Sequence, residues 1–384
     1  MLTRRVLLQT GGASMLVLGA GCATTQALSN KSFREPWAQA SEGFGDVRLN
    51  ALAYAILAPN PHNRQPWIVE LDEDKHSLTL YCDTDRLLPE TDPHNRQITI
   101  GLGAFIELFK QASAQQGYLV HITPFPEGEP KPNLDERPVA YIKMEPDPFI
   151  QRSPLFDHVL ARRTVRSKFN DKQISSSQLS ELAERASLLE RNNFATSIDI
   201  EKLGRLKELC LEGWNVEVST KRTHEESTAL TRIGSKEVTK NPDGISLLGP
   251  MMEASRVIGI LRRDKMNTPG TSAYDGTLSF YNKLINSSQA FGWLSTPGNS
   301  RLDQLNAGAD WVNLNLAATK LGIAMHPLSQ VLQEFPEMDS LYAAFHKEVG
   351  VKTPSRVQGL FRFGFADFPK ASPRWPMKSS LTKL

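Results

Sequence analysis

The sequence predicts an α+β protein built from two units of mixed helix and strand. Three observations predict it. Amphipathic helical spacing alternates with short strand-like runs and does not form long blocks of either kind. A run of this kind, helix then hairpin then helix then two strands, is complete by residue 146. A second, longer run follows from residue 147 to residue 376. A chain of 384 residues has room for two medium units, and its 40% apolar and 22% charged content is that of a globular protein.

The first residues read as an export leader (1–22). Thr3-Arg4-Arg5-Val6-Leu7-Leu8 resembles a twin-arginine export motif. The apolar stretch Val6–Gly21 is shorter than the ~20 residues of a permanent membrane span. Leu18-Gly19-Ala20-Gly21-Cys22 resembles a lipoprotein processing site without the usual aliphatic residue three before the cysteine. Lipidation of Cys22, with a membrane tether, and plain cleavage nearby are both open. The expected location is the periplasm or cell envelope. Residues 23–45 are weakly patterned and read as a tether.

From Asp46 the residues Leu49, Leu52, Ala53, Ile56 and Leu57 fall on one helical face. The decapeptide Ala58-Pro59-Asn60-Pro61-His62-Asn63-Arg64-Gln65-Pro66-Trp67 follows. Its prolines stop the helix and stiffen the backbone, and the polar residues between them suit a turn. It is either an ordinary helix-to-strand turn or a rigid loop for a flat, partly polar ligand. Ile68–Leu71 and Leu78–Cys82 read as a β-hairpin. A second helix runs from about Gln97 to Gln115. Gly101-Leu102-Gly103 inside it fits close packing against a neighbour, because a dinucleotide fingerprint needs a third glycine and a helix start. Tyr118–Thr123 and Val139–Met144 complete the first unit (46–146) as strands.

The second unit (147–376) opens with a short helical run, Phe156–Ala161, leading into Arg162-Arg163-Thr164-Val165-Arg166. Guanidinium forks match phosphate oxygens with paired, charge-assisted hydrogen bonds, so this is a phosphate site or a solvated basic patch. Gln178–Leu189 and Glu201–Val218 are amphipathic helices. Residues 221–300 are poorly periodic and read as an insertion that either covers a site or packs on the fold. Within it Met251–Leu261 and Ser279–Phe291 carry helical spacing. A long helix around Leu305–Leu321 stops at Gly322. Ile323–Leu328 is extended, Gln358–Phe363 is a strand, and 377–384 form a tail.

Two motifs resemble one family. Ala58, Pro59, Asn63, Gln65, Pro66 and Trp67 match the A-P-S-x-x-N-x-Q-P-W loop of the nitroreductase-like flavoproteins, with Asn60 in place of the serine. Arg162–Arg166 is similar to that family's R-R-S-x-R motif, with Thr164 for serine. The order of the two motifs is reversed relative to typical members. The chain thereby resembles the internally duplicated, Acg-like branch, in which two degenerate halves mimic the family homodimer within a monomer.

The resemblance implies a nitroreductase-like fold and one FMN per chain. Arg162, Arg163, Thr164 and Arg166 would hold the phosphate, with Arg374 and Lys370 as further basic contacts. Pro59, Asn60, Pro61 and Asn63 from the first half, and Pro327 and Ser329 from the second, would border the ring. His62 and His326 fall in the same two loops and are otherwise structural. A reduced nicotinamide or another donor would give hydride to flavin N5, with a nitroaromatic, quinone or similar acceptor. An exported flavin store or sensor without turnover is the alternative.

The net charge of +2 argues against a nucleic-acid partner. No metal-ligand spacing, serine-nucleophile elbow or Walker-type phosphate loop is present. Whether Cys82 and Cys210 pair cannot be read from their spacing.

Overall fold

The computed structural model describes residues 33–382 apart from Lys75. The leader, its arginines and Cys22 lie outside the described residues. In chain order the first elements are α1 (Glu35–Gln39), α2 (Val47–Ala55), β1 (Trp67–Leu71), β2 (Ser77–Cys82), α3 (Arg96–Gln115), β3 (Tyr118–Pro124) and β4 (Ala140–Pro146). Then come α4 (Ser176–Ala186), β5 (Asn193–Ser197), α5 (Ile200–Ser219), α6 (Lys221–Ala229), β6 (Thr231–Ile233), α7 (Gly234–Lys240), β7 (Ile245–Leu247), α8 (Pro250–Val257), α9 (Arg263–Met266) and α10 (Ser272–Asn286). The chain closes with β8 (Ala290–Thr296), α11 (Arg301–Lys320), β9 (Ala324–Pro327), α12 (Asp339–Glu348) and β10 (Arg356–Gly364). The α+β class holds, with strands of both larger sheets pairing antiparallel.

The two units share one order of elements. The first runs α2, β1, β2, α3, β3, β4, and its sheet is ordered β1-β2-β4-β3. The second runs α4, β5, β8, α11, β9, β10, and its sheet is ordered β5-β8-β10-β9. Each has one 20-residue helix, α3 or α11. The two long helices cross where each carries its eighth residue, Gly103 and Gly308. A Cβ at Gly103 would lie 2.1 Å from the Leu305 carbonyl oxygen, and one at Gly308 would lie 2.1 Å from that of Ile100. Leu305 and Ile100 are each the fifth residue of their helix, so the contact is reciprocal, as across a two-fold axis. The close-packing role expected for the 101–103 glycines is therefore met.

The first residues of the two helices repeat the reciprocity. Arg96 opens α3 and reaches into the second unit, donating to the carbonyls of Leu332 (2.6 Å) and Gln358 (3.1 Å) and to Glu334. Arg301 opens α11 and reaches into the first unit, donating to the carbonyl of Pro132 (2.7 Å) and to Thr99 Oγ1 (3.2 Å). Both arginines are buried. Buried guanidiniums of this kind tolerate only partners that satisfy their donors, which ties each unit to a loop of the other.

Two sequence expectations are corrected. Residues 33–45 are not a tether throughout: Phe33, Trp37 and Ala40 are buried, and Trp37 Nε1 donates to the Ser372 carbonyl at 2.9 Å. The irregular segment is not 221–300. Relative to the first unit, the added chain lies between β5 and β8, and Ala290–Thr296 is an interior strand of the second sheet with every residue buried. A continuous apolar run of this kind cannot be told from a buried helix by periodicity. The helical spacing that reaches Phe291 therefore overruns, and α10 ends at Asn286.

Candidate functional site

The decapeptide loop is held by its own side chains. Asn60 Nδ2 donates to the Ala58 carbonyl (3.0 Å), and Asn60 Oδ1 accepts from the Gln65 amide (2.7 Å). His62, Asn63 and Gln65 take positive φ values of 45°, 52° and 53°. Strain at non-glycine residues persists only where surroundings impose it. Here Gln65 Oε1 accepts from the Trp375 amide (2.9 Å), and Asn63 Nδ2 donates to the Pro373 carbonyl (3.0 Å). Gly101 leaves room beneath, since a Cβ there would meet Asn60 Cβ at 3.1 Å and Pro61 Cδ at 3.2 Å. The side-chain amides of Asn60 and Asn63, expected at a ring, thus hydrogen-bond within the loop and to the chain segment at Pro373.

Arg374 was expected at a phosphate, and the structure assigns its donors elsewhere. Nε donates to the Ile56 carbonyl (2.9 Å), and Nη2 donates to those of Leu57 and Ala58 (3.0 Å each). Nη1 donates to Asn63 Oδ1, Ser372 Oγ and the Pro373 carbonyl. All five N–H groups of a guanidinium are accounted for by such a set. Arg374 closes the C-terminal end of α2 and fixes the loop after it. Lys370 has no described hydrogen bond that places it at the site.

The Arg162–Arg166 run is divided by the fold. Arg162 is buried and donates to Asn315 Oδ1 (2.9 Å) and the Leu57 carbonyl (2.9 Å), while its Nε is buried without a partner. Arg163 donates to the carbonyls of Pro369 (3.1 Å), Leu160 (2.8 Å) and Arg162 (2.7 Å). Arg162, Arg163 and Arg374 surround one indole, with guanidinium carbons 5.8, 4.9 and 5.5 Å from the Trp37 ring centre. Burial, then Arg163, pulls Arg162 down to about 9. Because a guanidinium keeps its proton in proteins, that pull registers uncompensated positive charge.

Arg166 lies apart from this group, exposed and with no hydrogen-bond partner or ion pair among the described residues. Its field acts on His62, His326 and Arg362. His62, whose Nδ1 is buried without a partner, is pulled down to about 4 by burial, then by Arg166 and Arg64. His326 is pushed well below its usual value by burial, Arg362 and Arg166. Its Nδ1 accepts from Arg362 Nε at 2.9 Å, which fixes the neutral tautomer with the proton on Nε2. Ser167 Oγ is also buried and unpartnered. The charge of Arg166 thus reaches a histidine of each of the two loops named from sequence, and the preceding Val165 amide donates to the Met325 carbonyl at 3.0 Å. Thr164 is half-buried beside them, as are Pro59, Pro61, Pro327 and Ser329.

None of Arg162, Arg163, Arg166, Arg362 and Arg374 is ion-paired among the described residues, whereas buried Arg48 and Arg96 and half-buried Arg64 each have a carboxylate within 3.2 Å. Charge left unpaired in a partly buried place is costly. Arg166 and the adjoining orphaned Ser167 Oγ are donors of the kind that fits the anionic end of a nucleotide cofactor. Sequence reasoning missed Arg362 and Trp37. An arginine inside the apolar strand Gly359–Phe363 and a tryptophan inside an apparent tether were the available signals.

The added segment closes over this place. Pro242 accepts from Gln65 Nε2 (2.8 Å), Asp243 pairs with Arg64 (3.2 Å), and the Gly244 amide donates to the Asn63 carbonyl (3.3 Å). At the other side, the Leu284 carbonyl of α10 accepts from Arg362 Nη1 at 3.0 Å.

No family model matches the chain. It is 34% identical over 126 residues to the putative NAD(P)H nitroreductase acg of Mycobacterium tuberculosis, covering 32% of this chain and 36% of that protein. The chain spans about a third of the length of the curated relatives it matches. An uncharacterized protein of the same organism is 30% identical over 126 residues. Among solved structures, a nitroreductase-like family protein from Bacillus cereus is 15% identical, covers 61% of this chain and 97% of its own, and has a TM-score of 0.35. The FMN-dependent nitroreductase NfnB from Mycobacterium smegmatis, solved with NADPH, is 16% identical, covers 60% and 97%, and has a TM-score of 0.36. TM-scores this low do not establish a shared fold.

Proposed function

We propose that the protein is an FMN-dependent oxidoreductase of nitroreductase type, taking electrons from NAD(P)H or another small donor to a nitroaromatic, quinone or similar acceptor. The observation that carries this reading is the exposed, unpaired Arg166 next to the orphaned Ser167 Oγ, on a segment whose Val165 amide is bonded to the Met325 carbonyl (3.0 Å). Arg166 and Ser167 would hold the phosphate, with Thr164 beside them and Arg162 behind, its Nε facing no partner. Bound FMN would supply the hydride and electron chemistry, as flavins do in any protein that positions them. The chain's own residues bind and orient. The stiff Pro59–Gln65 loop fixes one wall, the His326–Ser329 segment fixes the other, and the Pro242–Gly244 turn keeps water from the loop.

The shared order of elements and the reciprocal Gly103–Gly308 crossing support a further part of the proposal. The two units are repeats that do within a monomer what a homodimer does between chains, with one flavin site. Export by the twin-arginine route, with or without lipidation at Cys22, is proposed on the leader motif alone. Cell fractionation of a chain carrying both Arg4→Lys and Arg5→Lys should find the protein retained in the cytoplasm.

The test is an anaerobic titration. Purified protein saturated with FMN should show a flavin spectrum that bleaches with NADPH, and Arg166→Ala should lower flavin affinity at least about tenfold, the loss of a charge-assisted contact. A colourless protein that takes up no added FMN would overturn the reading. The clamp of Pro242, Asp243 and Gly244 on the loop favours one alternative, a closed flavin store or sensor. Bleaching by dithionite but by no nicotinamide or other diffusible donor would select it.

A further inference from the structure

Nine large apolar side chains stand exposed among the described residues, and four of them fall within ten positions: Met251 (73% exposed), Val257 (72%), Ile258 (68%) and Ile260 (43%). They lie on α8 and the turn that ends it. That turn is closed by the Ile258 amide to the Ala254 carbonyl and the Ile260 amide to the Ser255 carbonyl. The helix is held to the body by its polar side. Glu253 accepts from the Ser235 amide (2.6 Å) and Ser235 Oγ (2.9 Å), so the apolar residues are left facing out. No residue of α8 is buried. Three such side chains grouped on one turn, with Met251 on the helix that leads to it, mark a contact surface; scattered singly they would be ordinary.

Charge identifies the partner. From Arg232 to Met266 the chain carries seven Lys and Arg against four Asp and Glu, a local excess of +3 in a chain whose total is +2. The cations border the apolar group. Arg256 and Arg262 flank Val257–Ile260 with side chains 40% and 61% exposed, each paired with a carboxylate, Glu253 (3.1 Å) and Asp264 (3.0 Å), so the excess is carried by exposed Lys236 and Lys240 of α7, whose Ser235 holds α8 through Glu253, and by Lys265, whose Nζ donates to the Gly259 carbonyl at 2.6 Å. An apolar strip beside an excess of lysines is the composition of a surface that lies in the interface of an anionic lipid layer. No described helix is long and apolar enough to cross a membrane, so the contact would be interfacial.

We propose that the Met251–Leu261 strip docks the protein on an anionic lipid surface. The inference stands on the exposed strip and its charge, whether or not a flavin binds. It also has a consequence for the site, because the strip is joined through β7 to the Pro242–Gly244 turn that clamps the decapeptide loop. Docking would place that clamp at the lipid boundary.

The experiment uses the full chain carrying Cys22→Ser, so that no acyl group contributes, with vesicles of phosphatidylcholine alone or with phosphatidylglycerol. The chain should sediment with the anionic vesicles and far less with the neutral ones. Val257→Glu with Ile258→Glu should weaken that binding about tenfold or more, and Lys236→Gln with Lys240→Gln should weaken it on anionic vesicles only, more so at low salt. All four positions are exposed, and an unchanged circular dichroism melt checks that the variants fold. Equal sedimentation of parent and Val257→Glu/Ile258→Glu would overturn the proposal. So would a parent that binds neither vesicle. A parent that dimerises with concentration, and a variant that is monomeric while vesicle binding is unchanged, would assign the strip to self-association instead.

Discussion

Gly308→Ala tests the frame on which the site is built. The added Cβ would stand 2.1 Å from the Ile100 carbonyl oxygen, 2.7 Å from the Ala104 amide nitrogen and 2.8 Å from Gly103 Cα, whereas ordinary contact begins near 3.4 Å. Every one of these atoms is backbone of α3, locked by its own helical hydrogen bonds, so no side chain can swing aside. The two long helices must part by more than an ångström, or one must bend. Overpacking of this kind costs ~1–3 kcal/mol and sometimes more. Alanine in a helix interior returns about 1 kcal/mol over glycine, so the upper end of that range, which immovable backbone atoms imply, leaves a net loss on the order of 2 kcal/mol. In a chain of this size that is a fall of several degrees in melting temperature. Gly204→Ala on α5 is the control. Its added Cβ meets nothing within 4 Å, so the propensity gain should appear unopposed, as a slight rise. The assay is thermal unfolding by circular dichroism with Gly103→Ala as a second case, which should fall like Gly308→Ala. If Gly308→Ala melts with or above Gly204→Ala, the reciprocal crossing is wrong and with it the two-unit frame.

Arg374 and Arg166 should separate structure from binding. Arg374→Ala leaves the Ile56 carbonyl without a buried donor, while Leu57 keeps Arg162 and Ala58 keeps Asn60, and at ~1–3 kcal/mol for such a group it should lower stability by that order in urea titrations with no flavin added. Arg166→Ala at an exposed position should change stability by no more than ~0.5 kcal/mol. Stability should also fall as pH rises from about 6.5 to about 8, above the range in which the lowered His62 and His326 gain stability with rising pH and oppose the carboxyls. Burial raises the Glu217 carboxyl to about 7, with Ser227 and Gln333 pulling the other way, and Asp92 and Asp310 are raised to about 7 and about 6. A carboxyl raised in the folded state contributes fully below its unfolded value and loses that contribution as pH passes its folded value. Glu217→Gln should flatten the curve of melting temperature against pH, and an unchanged curve would remove Glu217 from the account. In a Cys22→Ser chain, Cys82 and Cys210 should react with Ellman's reagent only after unfolding, because both are free, buried and shifted upward by burial.

Much of the frame was legible because it depends on local chemistry. Helical spacing placed α2, α3 and α11. The alternation around residues 68–82 placed the first hairpin. Prolines fixed the stiffness of the 58–67 loop, and paired glycines announced a close helix contact. Each of these follows from a few neighbouring residues and the backbone geometry they allow. The clustering of arginines at 162–166 was equally plain. Only the tertiary structure decided what each arginine does. Arg374 is used by carbonyls more than three hundred positions earlier, Arg162 by the same loop and by α11, and Arg166 by nothing described. A guanidinium at the end of a long, flexible stem takes whatever partners the fold brings within reach, and those partners are set by packing between distant elements. The same holds for β8, whose buried apolar run is ambiguous by itself and becomes a strand because β5 and β10 supply its hydrogen bonds. Sequence determined which groups the chain has to offer, and packing determined which of them remain free.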